Sequence, residues 1–287
     1  MTREGAGIKI CEWNIHHQGG RDQEGKMLEE EAPGWVVDEL KDQDIVVLTE
    51  FPTKTGSASK DSRSSIIGRL HARGFACFPS DNRRGNDVLI AVKVSLIAES
   101  KLEFSFSNPY CNEDKLIPEN AFVKLKIGDR YLVVVGVRIR TLKDFKERKE
   151  QFDWLMDELK RLNEGPVLLV GDWNHGRVCS PNENWSIGVM TNCLEKMNYS
   201  VCPMEGSSIY QENGPCDFPD DHFVVSQAML CLKEVKYDRD FTERDSSVYK
   251  FGRRGRDFCK WSSDENESVP PPFPDHAMLK ATLSFTD

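Results

Sequence analysis

Apolar positions come in short bursts along this chain, and their spacing changes from burst to burst. Val123, Leu125 and Ile127 are separated by Lys124 and Lys126, the period of two that gives a strand one buried and one wet face. "LVVVGV" within 131–140 and "PVLLV" within 166–174 are apolar throughout, as central strands covered on both sides must be. The same content of Val, Ile and Phe, bounded by Gly, Pro, Asn or Asp, predicts strands over 8–15, 44–51, 87–94, 121–127, 131–140, 166–174, 221–226 and 276–285. Gly128-Asp129-Arg130 has the composition of a hairpin turn.

A helical period takes over between these runs. Phe145, Phe152, Leu155, Met156, Leu159 and Leu162 share one face, with Lys, Arg, Asp and Glu on the other. Ile66, Ile67 and Leu70 mark a second helix that stops at Gly74, a suitable C-terminal cap. A third follows Pro33 around Trp35, Val36, Val37 and Leu40, and 190–199 suggests a fourth. The segments 53–63, 177–188, 203–220 and 236–275 read as loops, the last a long polar excursion ending in "SVPPPFPDH". No composition break resembles a linker, so the expectation is one domain of mixed strands and helices over 1–287.

Composition narrows the partners. With 38 Lys plus Arg against 47 Asp plus Glu, the net charge of −9 excludes the diffuse basic surface of a non-specific DNA coat protein. It leaves room for an enzyme that holds phosphate through a metal ion and a few local cations. Apolar runs are strand-sized, and the opening "MTREGAGIKICEWN" lacks a signal-peptide core. Nine cysteines without Cys-x-x-Cys spacing suggest neither a disulfide framework nor a zinc site. A cytoplasmic protein with reduced thiols is the expectation.

The chemistry-bearing residues sit where strands end. The first strand ends at Glu12-Trp13-Asn14, the second at Glu50, and 131–140 carries Arg138 and Arg140. "PVLLVGDWN" ends on Asp172 and Asn174, which share a face while Trp173 points away. "DHFVVS" opens with Asp221 and His222, and the last strand opens with Asp275 and His276. Each alone is an ordinary strand terminator. Together, if these ends meet on one rim, they build a polar pocket. Glu50, Asp172, Asp221 and Asp275 are hard oxygen donors suited to Mg²⁺ or Mn²⁺, which could polarise a phosphoryl oxygen. Arg138 could clamp a phosphate in bidentate fashion, and neither a Gly-x-Ser-x-Gly elbow nor a P-loop is present.

At these residues the sequence resembles the endonuclease/exonuclease/phosphatase superfamily. "WNI" at 13–15, "DIVVLTE" at 44–50, "GDWN" at 171–174, "DHFVVS" at 221–226 and "PDHAML" at 274–279 follow that family's motif order from Ile8 to Leu283. The resemblance implies an α+β fold, a four-layer αββα sandwich of two mixed sheets packed face to face with helices outside. It implies that Glu50 and Asn14 hold a Mg²⁺ or Mn²⁺ ion, with Asp275 the remaining candidate ligand. It further implies that Asp172 orients or deprotonates the attacking water, that Asn174 contacts the phosphate, and that Asp275 positions His276, which stabilises the transition state. Asp221 would support the site through a metal or through a hydrogen bond to a catalytic side chain. One departure stands out: many members carry His in the strand where this chain has Arg138. Arginine keeps a phosphate contact but cannot act as an acid at neutral pH, and pairing with a rim acid is its simpler alternative role.

"KFGRRGRDFCK" (250–260) places Arg253, Arg254 and Arg256 among Phe251 and Phe258, a candidate grip on a phosphate backbone that reads equally as a solvated loop. Arg83 and Arg84 are a weaker second candidate. The resulting expectation is a metal-dependent phosphodiesterase acting on nucleic acid. A phosphatase or phosphodiesterase for a small nucleotide or lipid headgroup stands second, and a non-catalytic binding module on the same fold third.

Overall fold

The computed structural model describes residues 7–15, 32–54, 57–82, 86–97, 102–109, 116–141, 144–161, 165–175, 185–204, 206–208, 210–211, 214–215, 219–238 and 276–286. Two six-stranded sheets dominate it. The first comprises β13 (Leu230–Asp238), β14 (Met278–Phe285), β1 (Ile8–Asn14), β2 (Ile45–Phe51), β4 (Asp87–Lys93) and β3 (Phe75–Pro79), in that spatial order. The second comprises β5 (Glu103–Ser105), β6 (Glu119–Ile127), β7 (Arg130–Arg138), β8 (Val167–Asp172), β12 (Asp221–Ser226) and β9 (Tyr199–Val201). A short hairpin pairs β10 (Tyr210–Gln211) with β11 (Gly214–Pro215). Both large sheets are mixed, because β1–β2 and β7–β8 run parallel and the other pairs antiparallel.

Alternation along the strands sorts the core into layers. Ile8, Ile10, Val47, Ile90, Val123, Val134, Val170 and Phe223 face inward and fill the space between the sheets. Opposite-facing Val133, Val135, Val137 and Leu169 pack under α3 (Phe145–Arg161) and α4 (Ile187–Glu195) through Phe152, Leu155 and Leu194. On the far side, Cys11, Trp13, Val46 and Leu48 pack under α1 (Ala32–Glu39) and α2 (Ser57–Ala72) through Val36, Leu40, Ile66 and Leu70. Helices, sheet, sheet, helices is the expected four-layer order. Burying both faces of the sheets explains why "VVVGV" and "VLLV" show no polar alternation.

The sequence reading differs from the structure mainly at sheet edges. The expected strands do not include β3, β5, β9 and β13, and the helix anticipated over 190–199 ends at Glu195, with β9 starting at Tyr199. These are short or amphipathic elements; β13 slips register between Lys233 and Lys236, which hides its period. The helix expected from about residue 64 starts at Ser57.

Pairing direction then fixes which strand ends meet. The parallel pairs put the C-terminal ends of β1, β2, β7 and β8 at one edge of the sandwich. Antiparallel partners bring starts to the same edge: Glu119 lies opposite Arg138, Asp221 opposite Asp172, and β14 begins beside the end of β1.

Candidate active site

The inward face that carries Val134 and Gly136 on β7 ends in Arg138, and the face that carries Leu168 and Val170 on β8 ends in Asp172. At the rim the core alternation therefore continues with charged side chains, and burial persists. Glu12, Asn14, Asp172 and Asp221 are all almost fully enclosed, while Glu50, Arg138 and His276 keep a sliver of exposure.

Two backbone irregularities aim these side chains. Glu50 has φ of 47° at a register shift between β2 and β4, a bulge that turns its carboxylate out of the strand's regular alternation. Asn174 has φ of 44° just beyond β8. Non-glycine residues in this region store strain, a pattern that concentrates at functional sites. Gly171 explains the first letter of "GDWN": at φ of 153°, a Cβ would come within 1.8 Å of Val137 O, so only glycine lets β8 lie this close to β7.

Asp172 accepts three hydrogen bonds. Its Oδ1 accepts from Asn174 N–H at 3.0 Å, and its Oδ2 accepts from Asn174 Nδ2 at 2.8 Å and Asn14 Nδ2 at 3.1 Å. Burial, followed by repulsion from Asp221, pushes it up to about 7 despite the pull of Arg138. Asn174 Nδ2 also donates to Ile139 O at 2.8 Å, so both amide hydrogens are committed to protein acceptors. Asn174 thereby steadies Asp172 at the rim.

Arg138 is the hub of the rim. Nη2 donates to Glu50 Oε1 at 2.6 Å, Nη1 donates to Glu119 Oε2 at 3.1 Å, and Nε lies 3.5 Å from Asp172 Oδ2. Glu119 is itself fixed by Asn86 N–H at 3.2 Å, and burial raises its carboxyl above the usual range. Sequence reasoning missed Glu119 because it stands before the apolar run of β6, with nothing local to mark it.

His276 Nδ1 lies 2.8 Å from Asp221 Oδ2, and Trp13 Nε1 anchors the same residue by donating to His276 O at 2.9 Å. Asp221 is brought to His276 from the start of β12. Asp275 lies outside the described residues, as do Arg253, Arg254, Arg256, Arg83 and Arg84.

More acids crowd this end than the expectation assigned. Glu12 accepts from Thr49 Oγ1 at 2.9 Å, its Oε2 has no hydrogen-bond partner, and burial followed by Asp221 raises it well above the carboxylate range. Asp220 is raised likewise, by burial and then by Asp172. Nearby, His175 Nε2 and His222 Nε2 are 2.8 Å apart. Pro219 O, 2.9 Å from His222 Nε2, can only accept, so His222 carries its proton there and His175 accepts. Burial, then His175, pushes His222 down to about 3. Arg148 of α3 adds a second cation, donating to Asn174 O at 2.9 Å.

No family profile matches the sequence, and no curated protein matches it as a relative. Solved structures do match. The chain superposes on the human Nocturnin catalytic domain with bound sulfate at a TM-score of 0.60 and 12% identity, covering 100% of this chain and 96% of that one. It superposes on D. rerio TDP2 complexed with single-strand DNA product at 0.60 and 13%, covering 96% and 98%. It superposes on the Bacteroides thetaiotaomicron mannosyl-6-phosphatase Bt3783 at 0.56 and 14%, covering 97% and 100%. This is the endonuclease/exonuclease/phosphatase fold. Identities this low speak for that fold alone.

The donor chemistry of the rim fits a divalent metal ion. Buried carboxylates outnumber Arg138 and Arg148; burial first, and then repulsion from a neighbouring aspartate, raises the proton affinity of Glu12, Asp172 and Asp220, and such a crowd of acids suits a cation. Among the described residues, no three His, Cys, Asp or Glu side chains converge as a ready-made chelate. Mg²⁺ accepts such a site, since it is held by one or two carboxylates, water and substrate oxygens. No helix among the described residues is long and apolar enough to cross a membrane.

Proposed function

We propose that this chain is a divalent-metal-dependent phosphoesterase whose leading substrate class is a nucleic-acid phosphodiester. The observation that carries the reading is the convergence of Asn14, Glu50, Arg138, Asp172 and an Asp221-held His276 on one buried rim. The fold it shares with Nocturnin, TDP2 and a mannosyl phosphatase supports the same class.

Glu50 and the side-chain oxygen of Asn14 would hold the ion, which supplies charge neutralisation at a phosphoryl oxygen when bound. The protein's own groups do the rest. Asp172, oriented by three amide hydrogens, holds the attacking water and takes its proton; a carboxylate lifted to about 7 is a far better base than an ordinary aspartate. Asp221 fixes His276 through Nδ1, so the proton offered to a non-bridging oxygen comes from Nε2. Arg138 presents a fixed guanidinium to the phosphate. Arg253, Arg254 and Arg256 would extend the grip along a polyanion.

A second reading, hydrolysis of a small phosphoester, is favoured by the net charge of −9 and by the likeness to the mannosyl-6-phosphatase. One screen separates the two. The purified chain with Mg²⁺ or Mn²⁺ is offered single- and double-stranded DNA, RNA, abasic DNA, nucleotides and sugar phosphates, with a chelator control. Cleavage of nucleic acid that weakens steeply with salt supports the first. Turnover confined to small esters, with a shallow salt slope, moves the assignment to the second. No hydrolysis with either ion overturns both.

A further inference from the structure

Arg138 occupies an unusual position for a phosphate-binding arginine: it already has a carboxylate on each arm. Nη2 holds Glu50 at 2.6 Å, and Nη1 holds Glu119 at 3.1 Å. The two arms are not equivalent. Glu119 is 1% exposed, and its second oxygen is tied to Asn86 N–H, so that side is anchored from within. Glu50 is 7% exposed, sits on a strained bulge and is the residue that would bind the ion. Guanidinium and divalent ion therefore compete for one carboxylate. An oxyanion arriving at Nη2 competes with Glu50 Oε1 for its N–H groups, and taking them would release Glu50 to the ion.

We infer that Arg138 makes cation and oxyanion binding interdependent: without a phosphate-like group its Nη2 arm masks Glu50, and the arrival of that group hands Glu50 to the metal ion. This rests on the phosphoesterase reading of the same rim. In the resting chain the metal affinity is held down, and the ion binds tightly only together with substrate. Coupling of this kind is reciprocal, so the ion must tighten oxyanion binding by the same factor.

Mn²⁺ binding, read from the free-ion EPR signal, tests this without turnover. Sulfate serves as the probe oxyanion, since it complexes Mn²⁺ weakly, with chloride matching the ionic strength. Wild-type protein should bind Mn²⁺ about tenfold more tightly in saturating sulfate, within the usual range of such couplings. Arg138→Gln should bind Mn²⁺ about that much more tightly without sulfate and lose the response to it. Arg148→Gln removes a positive charge from the same rim, where it donates to Asn174 O, and should retain the sulfate response. Equal Mn²⁺ affinity with and without sulfate in the wild type overturns the inference, and this arm needs no variant to fold. An Arg148→Gln variant that loses the response as fully as Arg138→Gln also overturns it, reducing the effect to general charge. Hydrolysis in the substrate screen without any coupling sinks this inference alone; coupling without hydrolysis sinks the catalytic reading alone.

Discussion

Arg63 and Arg138 are both buried guanidinium groups, at 4% and 9% exposure, and they sit in opposite electrostatic settings. Arg63 ties α2 to two strand ends: Nη1 donates to Pro52 O at 2.7 Å and to Asp87, and Nη2 donates to Ser80 O at 2.9 Å. Its guanidinium also lies over the Phe51 ring, 5.2 Å from the centroid. One carboxylate and two neutral carbonyls close that account electrically. Arg138 instead faces Glu50, Glu119 and Asp172, so its surroundings stay short of positive charge. A balanced buried pair holds a corner of the fold together. An unbalanced one is a place for something else to bind.

That contrast can be broken in graded ways. The largest effect should come from Asp172→Ala, which lowers the hydrolytic rate by roughly 10²–10⁴-fold, the range for loss of a positioned base. Its thermal midpoint should stay close to wild type, because a carboxylate leaves a crowd of carboxylates; a midpoint collapse together with activity would make Asp172 a structural residue. Arg63→Met should cost about 3–5 kcal/mol in denaturant unfolding, the range for stripping one partner from a buried pair, and Mn²⁺ should not restore it. Arg138→Gln should also unfold more easily in chelator, by about 1–3 kcal/mol, but regain most of that loss when Mn²⁺ is added. Equal failure of Mn²⁺ to rescue both arginine variants would erase the distinction drawn between them.

Smaller changes sharpen the same point. Glu12→Gln removes one anion from the crowded side and should stabilise the protein by about 1 kcal/mol near pH 8. The sign follows from burial: a carboxyl raised above its unfolded value holds its proton more tightly when folded, so wild-type stability falls as pH climbs out of the unfolded carboxylate range. The advantage of Gln should therefore shrink near pH 4, as measured by paired denaturant curves. At the bottom of the scale, Lys149→Ala breaks an i,i+4 pair with Asp153 on α3 and should cost no more than about 0.3–0.5 kcal/mol.

Much of this fold was legible in the residues. Fully apolar runs over "LVVVGV" and "PVLLV" became the doubly covered strands β7 and β8, and Phe152, Leu155 and Leu159 became the buried stripe of α3. Edge strands escaped because half-exposed, lysine-bearing segments such as β13 resemble loops when neither period dominates. At the site, strand-end position singled out Asn14, Glu50, Arg138, Asp172, Asn174, Asp221 and His276, and the structure brings them together at one edge. The wiring was another matter. Asp221 holds His276 across 55 residues, and Glu119 reaches Arg138 only through the β6–β7 register. Partners of this kind are set by sheet order, which no local spacing encodes. Motif proximity does not mark the Asp221–His276 contact, which follows from β12 lying beside β8.

The pairing of β1 with β14 carries a consequence for how the protein comes into being. Asn14 and His276 belong to strands that touch, yet almost the whole chain separates them, and Trp13 reaches His276 across 263 residues. During synthesis the acids of β1, β2 and β8 emerge long before the imidazole that completes them. A growing polypeptide on the ribosome therefore carries this rim incomplete until β14 emerges. Pairing of β14 with β1 completes the rim, so a translation product interrupted before β14 would lack it.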